Sequence, residues 1–221
     1  MNKPRLLDLF CGAGGAAAGY AQAGFEVIGV DVEPQPHYPF SFVQADALTY
    51  LDMVDLAQFD GIHASPVCKG YSKANNLQQI EYPMLIEETR NRLQRTGLPW
   101  VLENVVMTGK WRGHMPSAIE VCGTMFNLKV YRHRYFESSH LLFAPRRCAH
   151  PQYLLDDYVC IYGDVVRGRQ KGNRGNNYTS YSVSYGRAAM GIDWYMTGRE
   201  LSQAIPPAYT EWVGQQLKAV L

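Results

Sequence analysis

The chain has 221 residues, 47% of them hydrophobic, which is enough for one α/β core with a small appendage. A formal net charge of +1 excludes recognition of a partner by bulk electrostatics, so any charge signal must be local. No apolar run is long enough to span a bilayer, and Met1-Asn2-Lys3-Pro4-Arg5 leads straight into a strand without a signal-peptide apolar region; the expectation is a cytoplasmic protein with no membrane partner.

In chain order, Arg5–Phe10 reads as a first strand and Gly15–Ala23, rich in alanine, as the helix it feeds. Phe25–Asp31 is a second strand ending in an acid. Phe40–Val43 is a short third strand, followed by Ala45-Asp46. Thr49–Gln58 has helical periodicity, Phe59–Ala64 is a fourth strand, Ile80–Thr96 is an amphipathic helix and Pro99–Val105 a fifth strand. Strands alternating with helices at this period predict βαβ units, hence an α/β fold with a doubly wound, mostly parallel, Rossmann-like sheet. The active site should then lie at the carboxyl ends of the strands. From about Val121 the pattern changes. Leu128–Glu137 alternates as a strand, and Cys148–Gly186 loses periodicity and becomes rich in Gly, Tyr and Arg. Within Gly163–Arg187, Arg167, Arg169, Lys171, Arg174 and Arg187 stand against Asp164 alone, a local charge of +4. Gly198–Leu221 reads as two short helices broken at Pro206-Pro207. The domain reading is a catalytic unit over 1–147, a short target-recognition segment over 148–187 and returning helices over 188–221.

Gly12-Ala13-Gly14-Gly15, between a strand and a helix, has the position of a nucleotide loop, although such loops also serve as tight turns. Asp31 lies nineteen residues past Gly12 at the end of the next strand, where an acid binds ribose hydroxyls. The short glycine spacing, with Phe10 just before it, suits a nucleoside without pyrophosphate. Asp46 after strand three suits an adenine amino group; the competing reading is a helix N-terminal acid. Cys68, in Pro66-Val67-Cys68-Lys69-Gly70, follows a proline turn in a polar segment. An adjacent cation is expected to lower its thiol pKa and favour the thiolate nucleophile, against the alternative of a small buried hydrophobe. Glu103 interrupts an apolar strand, Val101-Leu102-Glu103-Asn104-Val105. It reads either as an arginine-paired carboxylate or as an acid whose raised pKa lets it donate a proton. Arg132 and Arg134, two apart on one expected strand, share a face. The cysteines at 11, 68, 122, 148 and 160 are odd in number and lack a C-x-x-C pair, so reduced thiols are expected. Cys148-Ala149-His150 with Cys160 could form a metal site, but without paired ligand spacing they read as loop residues, so no metal is expected.

Together these residues resemble the DNA (cytosine-5) methyltransferases of compact bacterial or phage type. Asp8-Leu9-Phe10-Cys11-Gly12-Ala13-Gly14-Gly15 resembles the S-adenosylmethionine loop. Asp31 and Asp46 resemble the ribose and adenine acids, Pro66-Val67-Cys68 the Pro-Cys nucleophile motif, Glu103-Asn104-Val105 the Glu-Asn-Val motif, and Arg132-His133-Arg134 the Arg-x-Arg motif. Leu201–Gly214 resembles the closing motif that folds back near the first loop. The likeness covers about residues 5–147 and 188–221, and six motifs in order make it specific. Three departures stand out: Val67 and Lys69 replace the proline and glutamine of Pro-Pro-Cys-Gln, the asparagine usual in the closing motif is missing with Ser202-Gln203 standing nearby, and the target-recognition segment is very short.

The resemblance implies a cofactor, S-adenosylmethionine, held by Phe10, Cys11, Gly12, Ala13, Gly14, Gly15, Asp31, Val32, Asp46, Ala47 and Pro66. It implies that Cys68 attacks C6 of a flipped-out cytosine, that Glu103 acts at N3 and the 4-amino group, and that Arg134 with Arg132 binds O2 or a phosphate. Lys69, Ser72, Arg167, Arg169, Lys171, Arg174 and Tyr178 form the expected DNA-facing set. Tyr178, Tyr181 and Tyr185 are read either as base-stacking residues or as packing of a small domain. The alternatives are the same chemistry on RNA, single-stranded DNA or a cytosine nucleotide, a modified donor (motivated by Lys69), a non-catalytic DNA-binding relic, and an unrelated dinucleotide oxidoreductase. The expected assembly is a monomer acting on duplex DNA, with a recognition site of roughly two to four base pairs, because each base read needs its own side chain.

Overall fold

The computed structural model describes residues 3–71, 82–107, 113–150, 158–168 and 178–221. Seven strands form the main sheet in the order β3-β2-β1-β4-β5-β7-β6. They are β1 (Arg5–Leu9), β2 (Glu26–Asp31), β3 (Ser41–Gln44), β4 (Gly61–Ala64), β5 (Trp100–Val105), β6 (Ile119–Val121) and β7 (Arg134–Ser138). β1 to β5 are parallel, and β7 pairs antiparallel with both β5 and β6. The doubly wound, mostly parallel sheet of the sequence reading is therefore the observed fold. Strand order reverses between β1 and β4, so the crevice of the fold opens at their carboxyl ends.

The alternation along β1 shows why both faces are covered. Leu6 packs in one core with α1 (Gly15–Gln22) and α6 (Pro207–Lys218), whereas Leu7 and Leu9 pack in the other with α2 (Ala47–Met53) and α3 (Ile86–Arg95). α1 carries Gly15 and Gly19 where most helices carry larger residues. A Cβ on Gly19 would overlap Pro207 O and Thr210 Oγ1, and one on Gly15 would overlap Ile205 O. The two helices consequently approach to backbone contact, and Thr210 Oγ1 donates to Ala16 O at 2.8 Å. The helix that follows Pro206-Pro207 thus folds back against the first loop, and proline at its first position suits its start.

Several segments differ from the sequence reading. α2 starts at Ala47, because Asp46 caps it by accepting Thr49 N–H at 2.8 Å; the rest of the expected helix is a separate 3-10 turn, Leu56–Gln58. α3 begins only at Ile86, after Pro83, in keeping with the extended backbone that a proline imposes upstream; Ile80 and Glu81 lie outside the described residues. The expected strand Leu128–Glu137 serves two sheets. Val130 bridges to Val159, with Tyr131 N–H donating to Val159 O, while regular pairing with β5 starts at Arg134. Arg132 thus precedes β7 rather than sharing its face with Arg134. The aperiodic stretch contains a small antiparallel sheet, β8 (Val159–Tyr162), β9 (Val165–Gly168) and β10 (Thr179–Tyr181), followed by α4 (Val183–Met190), which runs across the 187/188 division. Val159, Ile161 and Val166 of this sheet share a core with Ala13 of the first loop and with Leu201 of α5 (Gly198–Gln203). No helix among the described residues is long and apolar enough to cross a membrane.

Asp8 and His63 are neighbours in register on β1 and β4 and are fully buried. His63 is satisfied by Tyr20 Oη at 3.0 Å and Ser65 Oγ at 2.8 Å, and burial drives its pKa down to about 3, so it is neutral. Neither Asp8 oxygen has a hydrogen-bond partner among the described residues; burial, then Asp31 and Glu103, hold its pKa well above the ordinary 3.8. The native state therefore keeps a proton that the unfolded chain releases above that value. This contribution is full below the ordinary carboxylate range and is lost as pH rises toward the native pKa.

Two stability outcomes follow from this packing. Gly19→Ala should lower the unfolding free energy by about 1–3 kcal/mol or more in urea titrations, because backbone cannot yield as a side chain would. Asp8→Asn should stabilise the protein relative to the parent increasingly between acid and mildly alkaline pH; a difference that does not change with pH would show that Asp8 is ionised in the fold.

Candidate active site

The first loop is built from unusual backbone. Phe10, Gly12 and Gly14 have φ of 58°, 49° and 89°, and Gly14 N–H donates to Cys11 O to close the turn. A Cβ on Gly14 would press on Pro39, so that glycine is required by packing. Gly12 differs, since nothing among the described residues lies within 4 Å of where its Cβ would stand, and its left-handed backbone faces open space. Its N–H donates to Asp31 Oδ2 at 3.0 Å, while Glu33 N–H donates to Asp31 Oδ1 at 3.0 Å. A carboxylate offers about four lone-pair sites, so Asp31 keeps capacity for ligand hydroxyls after bracing the loop. Val32 beside it is 60% exposed, an apolar surface next to that acid. Ala45 N–H donates to Asp31 O, which sets Asp46 and Ala47 at the same rim. Asp46 is held ionised by the hydrogen bonds it accepts from Thr49, so the helix-cap reading of that acid is realised. Cys11 is buried, and burial raises its thiol pKa. Trp194 Nε1–H donates to Ala13 O at 3.1 Å, tying the loop to the returning chain.

The second half of the site comes from β4, β5 and the segment entering β7. Ser65 N–H donates to Leu9 O, holding the end of β4 to the end of β1. Asn104 donates Nδ2–H to Pro66 O at 2.8 Å and accepts Val105 N–H, which fixes the Pro66-Val67-Cys68 turn to the end of β5. Cys68 is half-buried at the head of a 3-10 turn, Lys69–Tyr71. Burial raises its thiol pKa, with Arg134 and Arg132 pulling down and Glu103 pushing up. This corrects the expectation of a lowered pKa: desolvation outweighs the cations, and the thiol is the resting form.

Glu103 is 5% exposed, and Arg134 Nε stands 2.9 Å from its Oε1, an ion pair whose angle does not make a hydrogen bond. Burial raises the Glu103 pKa to about 6, partly offset by Arg134 and Arg132. Arginine pairing and a raised pKa thus coexist. Arg132 lies near Arg134, whose charge adds to burial in lowering its pKa, but its head group is held by backbone carbonyls. Its Nη1 and Nη2 donate to Ile161 O at 3.1 Å and Ser202 O at 2.6 Å, and its own carbonyl accepts Tyr209 Oη–H at 2.6 Å. It clamps the small sheet to α5, so its electrostatic reach to Cys68 and Glu103 is that of a buried structural cation.

The structure brings Cys68, Glu103 and Arg134 into one electrostatic group beside the first loop. Arg167 lies on the exposed side of β9, 5.8 Å over the Tyr162 ring, and Tyr178 is 57% exposed. Tyr181 and Tyr185 stack on each other at 4.5 Å, the packing alternative. Ser72, Arg169, Lys171 and Arg174 lie outside the described residues, as does the Lys69 side chain. The sequence reading placed Asp8 and Asn104 within motifs but gave their side chains no role of their own. The signal that marked Glu103, a polar residue inside an apolar strand, was present for both. Cys148 and His150 do converge with metal-ligating groups, but these are Cys122 and His133; Cys160, on β8, is not one of the group.

No protein-family model matches the chain. It is 26% identical over 125 residues to the type II methyltransferase M.AgeI of Thalassovita gelatinovora, covering 46% of this chain and 28% of that protein, so the match spans under a third of that relative's length. Among solved structures it resembles the Dnmt2 methyltransferase of S. pombe, with a TM-score of 0.63 at 12% identity, covering 99% of each chain. It also resembles a protein encoded within an E. coli prophage and described as a DNA modification methyltransferase, with a TM-score of 0.60 at 16% identity, covering 98% of this chain and 99% of that one. The methyltransferase EhMeth of Entamoeba histolytica gives a TM-score of 0.59 at 10% identity, covering 100% and 99%. At these identities the likeness is one of fold: the chain has the Rossmann-like fold of those methyltransferases.

Proposed function

We propose that the chain transfers a methyl group from S-adenosylmethionine to C5 of cytosine in DNA through a covalent bond between Cys68 and C6. The observation that carries this reading is Glu103, a buried glutamate with a pKa near 6, held by Arg134 and electrostatically linked to the Cys68 thiol. The first loop fits the cofactor: the open side of Gly12, the spare capacity of Asp31 and the bare Val32 suit a nucleoside carrying no pyrophosphate. When bound, S-adenosylmethionine supplies an electrophilic methyl group. The names of the similar proteins, methyltransferases all, agree with that chemistry.

The chain's own groups account for the remaining steps. C5 of cytosine is a poor nucleophile. Addition of Cys68 Sγ to C6 makes an enamine with electron density at C5. Glu103 donates a proton or hydrogen bond to N3 as density shifts onto the ring, which its raised pKa permits near neutrality. Arg134 keeps the carboxyl oriented and places positive charge where the ring becomes electron-rich. After methylation, loss of the C5 proton and expulsion of Cys68 restore aromaticity. The base must leave the duplex stack, at a cost of about a few kcal/mol, and Arg167 would hold the backbone meanwhile.

The decisive test is trapping on DNA carrying 5-fluorocytosine, where fluorine at C5 cannot leave as a proton. With S-adenosylmethionine present, a denaturation-resistant adduct should form with the parent and be absent with Cys68→Ser. Single-stranded DNA and RNA run beside the duplex identify the polymer, and no adduct on any of them sinks the proposal.

The pH profile gives a second check. The productive form has Glu103 protonated and Cys68 ionised. Below about 6 Glu103 holds its proton and kcat/KM should rise with pH as thiolate forms. Above that value the gain in thiolate is offset by loss of the Glu103 proton, giving a plateau up to the raised thiol pKa. Glu103→Gln should lower the rate by about 10²–10⁴ and erase the break near 6. A break that survives the substitution assigns it to another group.

A further inference from the structure

Outside the proposed site, four ligand-type side chains from three separate stretches converge. Cys122 follows β6 and opens the 3-10 turn Gly123–Phe126, His133 lies between Arg132 and Arg134, and Cys148 and His150 sit in the segment after β7. One ligand atom from each, two sulfurs and two imidazole nitrogens, all lie within 4.8 Å of one another. His133 Nε2 is 3.2 Å from His150 Nε2 and 3.4 Å from Cys148 Sγ. Zinc bonds of about 2.3 Å to sulfur and 2.0–2.1 Å to nitrogen set tetrahedral edges of about 3.3–3.8 Å. The spacing already found is that of such a coordination sphere, reached by small side-chain adjustments.

We propose that Cys122, His133, Cys148 and His150 bind one zinc ion as a structural Cys2His2 site. Thiolate and imidazole ligands together select zinc over the oxygen-preferring cations, and four protein ligands leave no open position for chemistry. The surroundings are built to hold the ligands in place. Arg146, two residues before Cys148, donates from Nε to Met125 O at 2.9 Å and from Nη2 to Thr124 O at 2.6 Å, docking the Cys148 stretch on the turn that Cys122 opens. Thr124 Oγ1 lies 3.7 Å from Cys148 Sγ, and Tyr131 stacks on the His150 ring at 4.3 Å with 19° between planes. Glu120 stands 3.8 Å from His133 Nε2, a nearby negative charge that favours a cation. These are the outer contacts that orient ligands in metal sites.

The consequence is mechanical. Arg134 Nη1–H donates to the carbonyl of His133 at 2.8 Å, so a metal on His133 anchors the segment that carries Arg134 to Glu103. Zinc binding joins the β6 end, the entry to β7 and the following loop in a region where the described strands are short.

The test uses tag-free full-length protein, stripped with chelator and titrated with Zn2+, with metal per chain read by mass spectrometry. Retention of about one zinc per chain after gel filtration is expected, together with a melting temperature that falls on chelation. Co2+ in place of Zn2+ should give thiolate charge-transfer and tetrahedral d–d bands. Cys148→Ser and His150→Ala, both away from the buried core, should remove the bands and release the metal, whereas Cys160→Ser should leave them intact. No retained zinc, octahedral cobalt spectra, a Cys122–Cys148 disulfide in the purified protein, or unchanged metal content in the Cys148→Ser, His150→Ala double variant would each overturn the assignment. These readouts are independent of methyl transfer.

Discussion

A carboxylate placed inside a β-sheet must be neutralised or paired, and the arrangement around Glu103 follows from that requirement. Burying an unpaired charge costs several kcal/mol on the order of a whole domain's net stability. β7 meets the need by running antiparallel to β5, so that Arg134 at its start reaches Glu103 from the neighbouring strand. The pairing is incomplete, since the contact lacks hydrogen-bond geometry and burial still lifts the carboxyl to about 6. That residue of unmet cost is what makes the group able to hold and release a proton near neutrality. The same balance acts on Cys68, whose burial outweighs the two arginines.

Keeping this arrangement requires the ends of three strands to be fixed relative to one another. Asn104 does so for the Cys68 turn through Pro66 O, and Arg132 does so for the small sheet and α5 through two backbone carbonyls. Arg132 is therefore spent on architecture, although its charge still bears on the site. On the other flank, the glycines of α1 let α6 approach to backbone distance, and Trp194 reaches the carbonyl of Ala13. The first loop is thus braced by residues almost 200 positions away. A cluster of two cysteines and two histidines at the β6–β7 corner would secure the remaining side, next to the segment that supplies Arg134.

The parallel βαβ half was legible because its signals are local. Apolar runs of strand length, a glycine loop after the first, acids closing the second and third, and an acid inside the fifth each report on their own few residues. The second half resisted for a physical reason. Leu128–Glu137 alternates like one strand, yet its backbone hydrogen bonds go first to β8 and then to β5 and β6, and alternation does not say which partner accepts. Cys148–Gly186 hid β8, β9 and β10 because short antiparallel strands draw their stability from cross-strand pairs such as Cys160 with Arg167 and Ser180 with Arg167, not from periodicity.

By itself, the sequence determined the Rossmann-like class and marked Cys68, Glu103 and Arg134 as candidates near strand ends, because strand ends and polar residues in apolar runs are written in short windows. Tertiary structure alone decided their state. The direction of the Cys68 pKa, the reassignment of Arg132 to two distant carbonyls and the meeting of Cys122 and His133 with Cys148 and His150 depend on burial and on distances across the sheet, which no local window contains.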